Sequence, residues 1–122
     1  MAVQVTNVTN PGGLLSEGQL GQLKFRIVDI LFDSSYLTTG EPLTAASFGW
    51  IYFFGGIVVN HAKNAAGTLA MPLTIVANTT GSSIALQLLR YDGAAAGKAS
   101  LEEAANAFDA SLFTARVLLL GY

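Results

Sequence analysis

Ten consecutive residues, Trp50 to Val59, read WIYFFGGIVV and show no polar phase at all. The run is roughly half as long as the ~20 residues that cross a bilayer as a helix, so no membrane span is expected. Its Val, Ile, Phe, Tyr and Trp content favours a strand. Apolar side chains at both parities predict a strand buried on both sides. Gly55-Gly56 within it predicts a bulge or a sharp bend. Whatever fold the chain adopts must provide two covers for this one segment.

The flanking sequence is written in strand code as well. Val3 and Val5 alternate with Gln4 and Thr6, and Asn10-Pro11-Gly12-Gly13 stops that strand. From Gln19 a stronger strand runs with Leu23, Phe25 and Ile27 on one side. It then changes phase, so that Val28, Ile30 and Phe32 are apolar and Asp29 and Asp33 lie opposite. A one-residue slip exchanges the two faces, so either a β-bulge near Ile27-Val28 or a bend into a second sheet is expected. Asn60 to Gly67 reads as a loop. Thr68 to Asn78 reads as one strand, made an edge or late-starting by Pro72. Asn78 to Gly81 reads as a hairpin turn, and Ser83 to Tyr91 as a strand burying Ile84, Leu86 and Leu88.

Asp92 to Ala99 is a Gly/Ala loop. Ser100 and Glu103 have capping-box spacing, and Leu101, Ala104, Ala105 and Phe108 share a stripe, which predicts a short helix. Phe113 to Tyr122 closes the chain as a strand with Phe113, Ala115, Val117 and Leu119 on one face. Leu118 and Leu120 interrupt its polar phase and hint at a second covered face. The expected fold is mainly β: an antiparallel β-sandwich or small barrel with one short helix, in a single domain over 1–122.

Charge is scarce. Charged residues make up 11% of the chain and hydrophobic ones 52%, against about 25% charged in ordinary domains. A chain of this kind is expected to live as a permanent oligomer or an assembly component, because large uncovered apolar patches are rare on monomers. The net charge is −2 and the six Lys and Arg are scattered, which argues against nucleic acid as a partner. Met-Ala-Val-Gln-Val-Thr lacks the charged start and apolar stretch of a signal peptide, so export is not expected.

Enzyme chemistry finds little support. There is no cysteine, and His61, the sole histidine, reads as a surface loop residue without partners nearby in sequence. Asp29 and Asp33 could form a carboxylate pair for hydrolysis or a hard cation. Both fall on the polar side of a strand, though, where solvated carboxylates belong, and Asp33-Ser34-Ser35 resembles strand-end turn chemistry. Gly93 to Lys98 is one residue short of a phosphate loop and lacks its hydroxyl. No catalytic residue, metal site or cofactor is expected. Trp50, Tyr52, Phe53 and Phe54 read as core or subunit interface first and as a sugar-stacking platform second.

The loop FDSSYLTTGEPLTAASFGW, Phe32 to Trp50, has defined geometry. Thr38 to Pro42 reads as a tight turn with Gly40 at positive φ. Thr44 can cap a single helical turn over Ala45-Ala46-Ser47-Phe48, which Gly49 closes. Phe32 to Tyr36, then Thr39 to Ala46, then Phe48-Gly49, resemble a family of small structural proteins of tailed bacteriophages. The strand Ala2 to Thr6 and the closing Arg116 to Tyr122 resemble the family's termini more loosely, and Ser47 stands where members often carry an acid. The resemblance implies a β-sandwich of the virion, a head decoration (cement) protein on the capsid exterior. Its expected partners are the major capsid protein and its own copies, as a homotrimer. Val3, Val5, Trp50, Tyr52 and Phe54 are the expected interface residues, and Met1 to Thr9 an arm able to add to a sheet edge. The alternative is a carbohydrate-binding or receptor-binding module of a fibre, with Trp50 and Tyr52 stacking on sugar.

Overall fold

The computed structural model describes residues 3–7, 17–37, 39–77, 80–91, 101–104 and 109–122. The strands in chain order are β1 (Gln4–Asn7), β2 (Glu17–Leu20), β3 (Leu23–Leu31), β4 (Glu41–Thr44), β5 (Phe53–Lys63), β6 (Ala70–Met71), β7 (Leu73–Ala77), β8 (Ser83–Tyr91), β9 (Leu101–Glu103) and β10 (Thr114–Gly121). They form two antiparallel sheets packed face to face, a β-sandwich rather than a closed barrel. The six-stranded sheet runs β1-β3-β10-β5-β6, with β2 also on β3. The four-stranded sheet runs β4-β8-β7, with β9 also on β8.

Val28 and Ile30 of β3, Val117 and Leu119 of β10, and Ile84, Leu86 and Leu88 of β8 meet between the sheets and are fully buried. Each such side chain contributes about 1.5–3 kcal/mol by leaving water. β5 approaches the smaller sheet closely at Gly56, where an added Cβ would meet Ile75 Cδ1 at 2.9 Å. One end of the core is closed by Phe48, Trp50 and Phe53, with ring centroids 5.6–5.8 Å apart. The Arg26 guanidinium lies 5.3 Å from the Phe48 ring centre and 5.7 Å from that of Trp50, an arrangement that attracts a cation to the ring faces.

Several expectations are corrected. β3 pairs with β10 from Lys24 to Leu31 without a register shift, so neither a bulge nor a bend explains the phase change at Ile27-Val28. The strand is apolar on both faces because its two ends meet different surroundings. The predicted helix is replaced, over Leu101 to Glu103, by β9, paired with Leu89 to Tyr91; Ser100, Ala105 and Phe108 lie outside the described residues. Open backbone groups on the edge of β8 outweigh a weak local stripe there, and Ala104 N–H donates to Leu88 O at 2.8 Å. The strand expected from Thr68 to Asn78 is split by Pro72. Ala70-Met71 pairs with β5, while Leu73 to Ala77 pairs with β8 in the other sheet.

β5 continues to Lys63, which places His61 in a strand rather than in a loop. His61 Nδ1 accepts the Leu73 N–H at 3.0 Å, satisfying the first amide after the sheet switch. The proposed N-terminal arm is also revised. Residues 4–7 pair with Val28 to Leu31 and Val3 is buried, so residues 3–7 belong to the sandwich, while Met1, Ala2, Val8 and Thr9 lie outside the described residues.

Candidate docking surface

Loop 32–49 is built largely as its residues require. Gly40 has φ 105° and Gly49 φ 72°. A 3-10 turn occupies Ala45–Phe48, closed by Gly49 N–H donating to Ala46 O. Thr44 holds the cap position, but its side chain makes no cap bond. The Ala45 N–H donates instead to Ser82 O, and Ser47 Oγ donates to Thr44 O.

The deeper anchor is Tyr36, which is 1% exposed. β4 begins opposite Leu86 and β9 ends opposite Leu89, leaving a gap on that edge of β8 at Leu88. The Tyr36 hydroxyl fills it. It accepts the Leu88 N–H at 3.1 Å and donates to Glu103 Oε1 at 2.8 Å. Burial, reinforced by the Glu103 carboxylate, raises its pKa and keeps it a donor. Glu41, 2% exposed, accepts the Leu37 N–H at 3.0 Å. Burial raises the Glu41 pKa, opposed by the Leu37 hydrogen bond and aided by the Asp33 charge. Asp33 accepts the Ser35 N–H at 2.9 Å, the expected turn chemistry. Asp29 lies on the outer face of the large sheet, in a two-point pair with Arg116 at 2.8 and 3.1 Å. Each aspartate therefore has a local partner, and among the described residues no group of three or more acidic or histidine side chains could hold a metal ion.

The outer face of the six-stranded sheet is the surface that stands out. Register puts Ile27, Leu118 and Ile57 in one row across β3, β10 and β5, and Phe25, Leu120 and Gly55 in the next. Phe54 is the extra residue of the bulge between Phe53 and Gly55, as the paired glycines predicted. Gly55 has φ 149°, which a side chain would oppose. Phe54 is 67% exposed and Ile57 56%. Tyr52 and Tyr122 stack at 5.3 Å beside them, and the Phe54 ring lies 5.5 Å from Tyr122. The other end of the face is polar, with the Asp29–Arg116 pair, Asn60 and Lys63.

The run from Trp50 to Val59 is therefore covered on one face and open on the other. Of the five interface residues expected from sequence, Tyr52 and Phe54 lie on this surface. Trp50 and Val3 are in the core, and Val5 sits half-exposed at the sheet edge on the core side. The Trp50 ring packs on Phe48 and Phe53, although Gly49 and Ile51 on either side of it are exposed. Ile27, Ile57, Leu118 and Leu120 were not named as interface. Their signal was the loss of polar phase in β3 and β10 and, for Ile57, the unbroken apolar run Trp50 to Val59.

Compared with known proteins, the chain matches no family model, no curated protein and no solved structure.

Proposed function

We propose that this chain is a structural protein of a phage virion, a capsid decoration protein that binds the outside of the assembled head together with copies of itself. The observation that supports this most is the uncharged apolar band on the outer face of the large sheet. A band of that kind is characteristic of a docking surface. The virion assignment itself rests on the likeness of residues 32–49 to tailed-phage structural proteins.

The shell contact is assigned to the open side of the sandwich. There, among the described residues, β1 pairs with β3 alone, and Val5, Leu43 and Phe48 help line a groove of about 460 Å³. An extended segment of a shell subunit can add to the free edge of β1, whereas Pro42 removes a donor from β4. Binding to the closed shell and not to free subunits stabilises the shell by mass action, by about 2.7 kcal/mol per site at a hundredfold excess over Kd. To test this, the purified chain is mixed with empty shells of the major capsid protein encoded in the same genome and pelleted. It should co-sediment with shells and stay in solution with dissociated subunits; absence from the shell pellet overturns the assignment.

Glycan binding, as a carbohydrate-binding or receptor-binding module, is favoured second by one observation. Phe54 and Tyr122, with Leu23 and Leu120, line a groove of about 560 Å³ beside the Tyr52 ring. Trp50 is too deep to take part. Retention on a glycan surface that disappears in a folded Tyr52→Ala variant would replace the shell by a sugar.

A further inference from the structure

We infer that the apolar band on the outer face of the six-stranded sheet is covered by the same band of a second copy, in a two-fold, self-complementary pair. This rests on reading that face as an interface and names its occupant.

Charge is the first ground. Phe25, Ile27, Leu118, Leu120, Ile57 and Phe54 form a band without formal charge. The nearest opposite charges, Asp29 and Arg116, neutralise each other across β3 and β10. The band gives a charged partner nothing to pair with, and its complement has to be apolar and neutral. This face itself meets that requirement.

Shape is the second ground. Phe54 and Ile57 protrude, while Gly55, opposite Leu120, offers no side chain and has open space where a Cβ would stand. Ridge and trough stand side by side. A two-fold rotation sets each copy's ridge over the other's trough, which is the condition for an isologous contact.

Size sets the strength. Residues 52–59 of β5 span about 26 Å, and three strands with their side chains about 15 Å. That footprint is at the low end of specific interfaces, where weak or transient complexes lie. The pair is therefore expected to be concentration-dependent, not permanent.

Sedimentation velocity from about 1 µM to about 1 mM tests this, over which weak interfaces of this class assemble. The weight-average mass should rise from one 12.7 kDa chain towards two. Ile57→Lys should remain at one copy, with an unchanged melting temperature to show that it is folded. Val76→Lys, on the smaller sheet, should assemble like the wild type. A wild type single-copy throughout, or an Ile57→Lys variant that assembles normally, overturns the inference. A plateau at three copies overturns the two-fold pairing. None of these results depends on shell pelleting, so the inference and the functional assignment can fail separately.

Discussion

Leu118 and Leu119 are neighbours on one strand and chemically identical, yet Leu119 is fully buried and Leu118 only half-buried. The inner face of β10 meets β8 and its sheet; the outer face meets no part of the described chain. A strand interior to a sandwich normally alternates apolar with polar. Here Ile27, Ile57, Leu118 and Leu120 keep the outer side apolar as well. The difference between the faces is thus one of cover, not of composition.

The sharpest way to break this comparison is to cut both leucines. Leu119→Ala should destabilise the fold by about 2–5 kcal/mol, the usual range for a buried leucine whose site cannot collapse, read as a lower midpoint in urea. Tyr36→Phe comes next, at about 1–3 kcal/mol, because it strands the Leu88 N–H and a Glu103 oxygen. If it costs nothing, the smaller sheet does not depend on the loop that fills its gap. Leu118→Thr should change stability by no more than about 0.5 kcal/mol, like other surface substitutions, while lowering the self-association measured by sedimentation. Equal losses from Leu118→Thr and Leu119→Ala would erase the distinction between the faces.

Glu41 gives the smallest effect and a pH-dependent one. Its folded pKa lies above the ordinary 4.5, chiefly through burial. The folded form therefore holds its proton more tightly than the unfolded chain. The stability tied to that proton is present in full below 4.5 and is lost as pH rises from there through the raised folded value. Glu41→Gln keeps an acceptor for the Leu37 N–H and removes the titration. The variant should match the wild type near pH 4 and exceed it at pH 8 in denaturant midpoint. A constant difference across that range contradicts the assignment.

Much of this was legible in the residues. Alternation found most strands, the glycine pair found the bulge, and Gly40 and Gly49 marked the turns of loop 32–49. Local patterns failed where distant partners decided. The stripe after Ser100 looked helical, but the open edge of β8 took Leu101 to Glu103 as a strand. His61 looked like a loop residue because its acceptor role depends on Leu73, twelve positions away. The candidate surface was visible only as an anomaly, a lost polar phase in β3 and β10. Periodicity can reveal that both faces of a strand are apolar, but which face the chain itself covers is set by the order of strands.

Pro72 has a mechanical consequence. A single peptide segment leaves the large sheet at Met71 and enters the small one at Leu73, and Leu89 N–H donates to Pro72 O across the joint. The two layers are sewn by continuous covalent backbone, so they cannot slide past one another while both remain hydrogen-bonded. A single cooperative melting transition is therefore expected, as in most single domains of this size.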